Sequence, residues 1–151
     1  MLKQARTMKT FEIPGAVAGG IRTVGQIRGT NTLIFHTGQN GMAVAVELLS
    51  SHTPGAPVVD DHNAFVGFIS EIDVLRTLES GQDLSSLTAE NIMVHDQISV
   101  TAETTLKDAV KVMEEKHVLN LPVKQNGRVA YSVTRHDLLR AWIGLGTTGE
   151  D

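Results

Sequence analysis

The chain contains an internal duplication, and this feature constrains its fold most. Residues 134–140 (TRHDLLR) lie 64 positions after residues 70–76 (SEIDVLR), and both segments read S/T-x-x-D-V/L-L-R. The Pro-Val pairs at 57–58 and 122–123 are 65 positions apart. Repeats at a fixed spacing indicate a duplicated structural unit, here of about 60 residues.

An apolar stripe also recurs at the spacing of 64. Leu106, Ala109, Val110 and Met113 follow the i, i+3, i+4, i+7 pattern of an amphipathic helix. Residues 64 positions earlier are also apolar: Met42, Ala45, Val46 and Leu49. Because the Pro-Val pair recurs at 65, this pattern predicts that the connection between helix and Pro-Val strand is one residue longer in the second copy. A later connection must then be one residue shorter, since the S/T-x-x-D motif again recurs at 64.

Each copy predicts the order strand, helix, strand, strand, helix. The Asn-Gly pair at 126–127 indicates a hairpin in the second copy. A unit of this size is marginal alone. We therefore expect an α/β fold in which two pseudo-symmetric βαββα units pack sheet to sheet, with a ligand cleft between them. The expected segments are an N-terminal extension (1–21), a first repeat (22–81), a connector (82–96), a second repeat (97–145) and a flexible tail (146–151).

Composition narrows the possible functions. The 151 residues carry a net charge of −4, which disfavours binding to duplex nucleic acid. The chain has no cysteine, so it offers no thiolate nucleophile or sulfur ligand. We expect a cytoplasmic protein with no membrane association, because no apolar run approaches the length of a membrane helix, and Glu12 and Pro14 interrupt the only stretch resembling a signal peptide.

The repeated S/T-x-x-D motif has two interpretations. Ser or Thr three residues before an acid is the capping-box pattern of a helix N-terminus. The same geometry suits a nucleoside phosphate, because helix N–H groups and a hydroxyl receive phosphate while a carboxylate accepts hydrogen bonds from ribose. Spacing alone does not decide between them.

The complete pattern resembles a tandem pair of cystathionine-β-synthase-type (CBS) domains, also called a Bateman module. It consists of strand, helix, Pro-Val, hairpin and S/T-x-x-D-V/L-L, occurring twice and joined by a segment ending in Asn91-Ile92-Met93. The resemblance covers residues 22–145. It implies a regulatory sensor of AMP, ADP, ATP or S-adenosylmethionine that is not an enzyme and signals to an unknown partner. The alternative is a dimerising interaction module with vestigial pockets.

The resemblance also implies two pseudo-symmetric sites. In each, Asp holds the ribose, Ser or Thr approaches phosphate, and the base lies beside residues preceding the Pro-Val strand of the other copy. The first site comprises Ser70, Asp73, Val118, Leu119 and Asn120. The second comprises Thr134, Arg135, His136, Asp137, Thr53, Pro54 and Gly55.

Charge favours the second site for phosphates. Glu71 would repel a phosphate beside Ser70, whereas Arg135 offers a bidentate partner beside Thr134. Tyr131, however, occupies the position where the family usually has glycine, as at Gly67. We expect this tyrosine either to fill the pocket or to stack on a base.

Three further expectations concern other ligands and partners. The six histidines form no zinc-binding pattern, and residues 60–62 (DDH) predict a turn rather than a metal site. The first helix is apolar on all sides over residues 42–46 and needs a second partner. Since such helices form dimer interfaces in the family, we expect a homodimer through helices 42–49 and 106–113. The competing possibility is that residues 1–20 fold back over this surface.

Overall fold

The structure, a computed structural model, describes residues 21–28 and 31–144. The N-terminal extension before residue 21, its predicted fold-back and the C-terminal tail lie outside this part of the chain. The first unit contains β1 (Phe35–His36), α1 (Gly41–Ser51), β2 (Gly55–Val59), β3 (Phe65–Ser70) and α2 (Glu71–Glu79). A 3-10 helix (Leu84–Ser86) and the short α3 (Ala89–Ile92) follow.

The second unit repeats this order. Its elements are β4 (Val100–Thr101), α4 (Leu106–Lys116), β5 (Asn120–Gln125), β6 (Arg128–Thr134) and α5 (Arg135–Trp142). A 3-10 helix, Val24–Gln26, precedes the first unit in the chain. Asn40 and Thr105 are the N-caps of α1 and α4, and their side chains accept hydrogen bonds from backbone N–H groups of the first helical turn.

Each unit contains a three-stranded mixed sheet. The first strand pairs in parallel with the second, and the second pairs antiparallel with the third. The second hairpin turns at Asn126 and Gly127, both with positive φ, as the Asn-Gly signal predicts. Strands β2 and β5 contact each other across the two sheets. The α/β fold of two packed βαββα units is thereby confirmed.

The predicted helix register is wrong by one residue. The buried positions are Gly41, Val44 and Leu48 on α1 and Leu106, Ala109 and Met113 on α4. These two sets are 65 positions apart, so helix and Pro-Val strand share one offset. The offset becomes 64 only at the hairpin, because the first hairpin loop has one residue more. The offset between the two copies therefore changes once, from 65 to 64, rather than twice as predicted.

The lead-in segment that precedes the first strand of each unit, residues 22–27 and 89–94, packs on the other unit. Val24 and Gly25 donate backbone hydrogen bonds to residues 104 and 102 of the second unit. Ala89 and Glu90, 65 positions later, donate to residues 39 and 37 of the first unit. The predicted connector therefore belongs to the core of the first unit, and residues 22–27 to that of the second. The packing units do not coincide with the sequence repeats 22–81 and 97–145.

The C-terminal ends of α1 and α4 and the predicted turn at 60–62 have well-defined backbone geometry. His52 and His117 cap α1 and α4 in the left-handed conformation, with φ of 54° and 56°. Asp60 Oδ1 accepts the N–H groups of His62 and Ala64, and these hydrogen bonds lower the pKa of the Asp60 carboxyl. Residues 60–64 therefore form the predicted turn. Among the described residues, no helix is long and apolar enough to span a membrane.

Candidate functional site

A cavity of about 370 Å³ lies between the two units and contains all five residues predicted for the first site. The first unit contributes Ser70 and Asp73 at the N-terminus of α2. The second unit contributes Val118, Leu119 and Asn120, which lead into β5. Apolar side chains complete the walls: Pro54, Phe68, Ile72, Val94, Ile98 and Pro122. A concave cavity that combines apolar walls with several polar and charged side chains has the character of a small-molecule site.

Asp73 is held by the capping box that the motif predicts. Its Oδ2 accepts the Ser70 backbone N–H and the Ser70 hydroxyl, each at 2.8 Å. Its own N–H donates to Ser70 Oγ at 3.3 Å. The Asp73 residue is only 7% exposed. Capping uses one carboxylate oxygen, so Oδ1 remains to accept other hydrogen bonds.

Two cations at the rim of this cavity were not predicted from the sequence. Arg76 Nη1 lies 3.3 Å from Asp73 Oδ1, and the arginine side chain is 67% exposed. Lys116, at the end of α4 in the other unit, also lines the cavity. The i, i+3 spacing of Asp73 and Arg76 on a helix was a signal that could have found the first cation. Nothing near Lys116 in the sequence indicates that it lines the same cavity as Asp73.

The residues predicted for the second site are divided between two adjoining depressions. Thr134 and Asp137 share one of about 480 Å³ with Thr53, His52 and residues 31–33. A second, of about 460 Å³, is lined by His52, Pro54, Leu119, Thr134, Arg135, His136 and Leu139. Gly55 lines neither. Arg135 and Asp137 thus face different depressions, and Glu71 does not line the first cavity. The expected charge advantage of the second site does not follow from this arrangement.

Asp137 has the same cap but fewer partners than Asp73. Its Oδ2 accepts the Thr134 N–H at 2.8 Å, and its N–H donates to Thr134 Oγ1 at 3.2 Å. Within the described part of the chain, Thr134 Oγ1 donates to no acceptor and Asp137 forms no ion pair. This acid is partly exposed, whereas Asp73 is buried.

Tyr131 neither fills the pocket nor faces a base, so both expectations for this residue are wrong. Its side chain points into the core of the second unit and is 8% exposed. Its hydroxyl donates to Val24 O at 3.2 Å. Burial raises the pKa of Tyr131. Side chains alternate along β6, so the cleft side carries Ser132, where the first unit has Phe68.

The sequence comparisons identify the repeats. A family model described as "CBS domain" matches residues 24–80 and 89–144. The matches begin at the two pseudo-equivalent lead-in segments, so the second includes part of the predicted connector. A 17.7 kDa protein of Acidianus ambivalens is 33% identical over 70% of this chain and 65% of its own length. The chain spans only 32% of a Methanocaldococcus jannaschii relative that is 30% identical over 61% of this chain.

Solved structures share the arrangement of the two units. The CBS domain pair of protein MJ0100, in complex with 5′-methylthioadenosine and S-adenosyl-L-methionine, is 25% identical with a TM-score of 0.71. The match covers 82% of this chain and 98% of that one. CBSX2 in complex with AMP is also 25% identical, with a TM-score of 0.67 over 80% and 96% of the two chains. A CBSX2 structure is from Arabidopsis thaliana.

Proposed function

This chain belongs to the CBS domain family, and on that premise we propose that it is a regulatory module binding an adenosine ligand in the first cavity. The observation that carries the proposal is the meeting of Ser70 and Asp73 from one unit with Val118, Leu119 and Asn120 from the other. Two relatives of similar structure are bound to AMP or to S-adenosylmethionine and 5′-methylthioadenosine. The same class of ligand is proposed here.

The chemistry of the cavity assigns a role to each part of such a ligand. Asp73 Oδ1 accepts hydrogen bonds from the ribose hydroxyls after the exposed Arg76 side chain turns away. The ribose hydroxyls then replace the single hydrogen bond that Arg76 Nη1 donates to the buried carboxylate. The purine lies among the apolar walls, with Phe68 supplying an aromatic surface.

The group attached to the ribose 5′ carbon then lies toward the rim. Arg76 and Lys116 are available there for a phosphate or for the carboxylate of S-adenosylmethionine. Asp96, also at the lining, offers a partner for an ammonium group. The rim therefore distinguishes charged ligands from uncharged ones. We assign the ligand to the first cleft rather than the second, because the second has Ser132 in place of the aromatic Phe68.

Homodimerisation belongs to the same proposal. Exposed apolar side chains cover the outer face of α1 and α2, including Val46, Leu49 and Leu75, which are 53%, 69% and 57% exposed. On the second unit, Leu106 and Met113 of the predicted helix are buried in the core and are not available for such a contact. Apart from Leu119, the large apolar residues exposed on that unit lie on and just after α5: Leu139, Trp142 and Ile143. We assign the dimer interface to these two faces, since large exposed apolar patches mark interaction sites.

An interaction module without ligand binding is the second candidate. The observation that favours it is that both motif acids complete capping boxes with residues of their own helices. The motifs thus have a structural role that requires no ligand. The regulated partner remains unassigned, and the cytoplasmic location stays a prediction.

A thermal-shift panel separates the two candidates. AMP, ADP, ATP, S-adenosylmethionine and 5′-methylthioadenosine are each added at increasing concentration to the wild-type protein. A ligand at a hundredfold its Kd stabilises by about 2.7 kcal/mol, or about 5–10 °C for a chain of this size. A shift that saturates with at least one adenosine compound, but not with GMP or cytidine monophosphate, supports the sensor. No shift with any of them supports the interaction module.

A further inference from the structure

One buried side-chain hydrogen bond connects the two units where their clefts meet. Asn120 Nδ2 donates to Gly55 O at 2.8 Å. Asn120 begins β5 of the second unit and is 3% exposed, and Gly55 begins β2 of the first unit and is also buried. Over residues 21–28 and 31–144, no other side-chain hydrogen bond joins the two sheets.

The bond runs in one direction only. Asn120 and Gly55 are 65 positions apart, the offset that relates β5 to β2, so they occupy pseudo-equivalent positions. Position 55 has no room for a side chain, because a Cβ there would lie 2.6 Å from Phe68 Cε2 and 2.9 Å from Ile69 O. The Asn120 amide of the second unit therefore binds the main chain of the first unit at Gly55, where Phe68, a wall of the first cavity, already packs closely.

Both ends of this bond continue into the clefts. Asn120 itself lines the first cavity. Gly55 follows Pro54, which lines both the first cavity and the depression beside Thr134. Thr53 precedes Pro54 and lines the depression that contains Asp137. The hydrogen bond to Gly55 and the adjoining residues Thr53 and Pro54 thus connect Asn120 to the second cleft.

We infer that Asn120 is a positioning residue that couples the two clefts. A buried carbonyl that loses its donor is costly, so Gly55 follows when the Asn120 amide moves. A structural change in the first cavity then reaches residues 53–55, and through them the second cleft. Such coupling is reciprocal. Where the change is caused by an adenosine ligand, the inference rests on the proposed function, whereas a substitution produces the change without a ligand.

The test uses backbone amide NMR spectra of the full chain. The perturbation is Val118→Ala, on the second-unit side of the first cavity, and the readouts are the Thr53 and Gly55 amide shifts on the first unit. It is introduced into the wild type, into Asn120→Leu and into Leu119→Ala. Leu119 is the matched control, because it lines both clefts but is not the donor to Gly55. Asn120→Ala replaces Asn120→Leu if the latter does not fold.

The expected result is a shift change at Thr53 in the wild type and in Leu119→Ala, smaller by about threefold or more without the Asn120 amide. Equal changes with and without that amide, or no change in the wild type, overturn the coupling. A second arm titrates AMP into Asp137→Ala, where the same amides are expected to shift. If no adenosine compound binds, the proposed function fails, and the substitution arm still decides the coupling.

Discussion

Replacing Gly67 by alanine tests the contact between the lead-in segment and the first cavity. A Cβ at this position would lie 2.6 Å from Val94 O and 2.7 Å from Met93 Sδ. The sulfur can move, but the carbonyl belongs to a backbone held by two hydrogen bonds, from Phe68 N–H to Val94 O and from Val94 N–H to Phe68 O, both 2.9 Å. Because Val94 lines the cavity, the added methyl displaces one of its walls.

The magnitude follows from these contacts. Overpacking a tight site costs about 1–3 kcal/mol, and weakening a backbone hydrogen bond costs about 0.5–1.5 kcal/mol more. We therefore expect Gly67→Ala to destabilise the chain by about 2–4 kcal/mol. With a urea m-value of about 2 kcal/mol/M, the unfolding midpoint falls by about 1–2 M.

The assay is urea unfolding followed by circular dichroism, with Gly38→Ala as the matched control. Nothing lies within 4 Å of a Cβ at position 38, and its φ is not positive. We expect the control to keep its midpoint within about 0.5 M. A Gly67→Ala midpoint equal to that of Gly38→Ala would refute the packing of the lead-in segment against β3.

Three further predictions concern other parts of the molecule. The raised pKa of Tyr131 makes its neutral form stabilising below about pH 10, and this contribution is lost as pH rises through the folded-state pKa; urea midpoints from pH 9 to 11 should fall more steeply for the wild type than for Tyr131→Phe, and parallel slopes would contradict this. Leu75→Glu should convert the dimer to a monomer in light scattering at micromolar concentration, whereas Glu79→Gln should not; a monomeric wild type would remove the dimer. Lys116→Ala should weaken AMP binding by about 5–30-fold, as expected for about 1–2 kcal/mol, and leave the binding of 5′-methylthioadenosine nearly unchanged. Substitution of the exposed Lys111 by alanine should alter the binding of neither ligand. Equal losses for both ligands would show that Lys116 does not interact with the phosphate charge.

Local signals in the sequence were enough for most elements. The Asn-Gly turn, the Pro-Val strands and both motif helices have short-range causes: turn conformation, apolar alternation and capping. The prediction that Ser70 and Asp73 meet Val118 and its neighbours relied on the family resemblance. No local pattern requires residues of two different repeats to lie at one cavity.

The predictions that failed depended on long-range packing. Residues 42–46 are apolar on all sides of the helix, so an offset of 64 fits the sequence pattern as well as 65, and only the burial of Val44 and Leu48 decides between them. The exchange of lead-in segments depends on pairing between residues far apart in the chain. The position of Tyr131 depends on which face of β6 meets residue 24, a contact across 107 positions.

Isothermal titration calorimetry on a matched pair of variants tests the central claim most directly. Asp73→Asn and Asp137→Asn change the pseudo-equivalent acids of the two capping boxes. Because Asp73 has more partners than Asp137, the urea midpoint of each variant is measured beside its binding. With the adenosine ligand giving the largest thermal shift, we predict that Asp73→Asn weakens binding by at least about tenfold, or about 1.4 kcal/mol. Asp137→Asn should bind nearly as the wild type does. Loss of binding in Asp137→Asn, with normal binding in Asp73→Asn, would contradict the assignment of the first cavity.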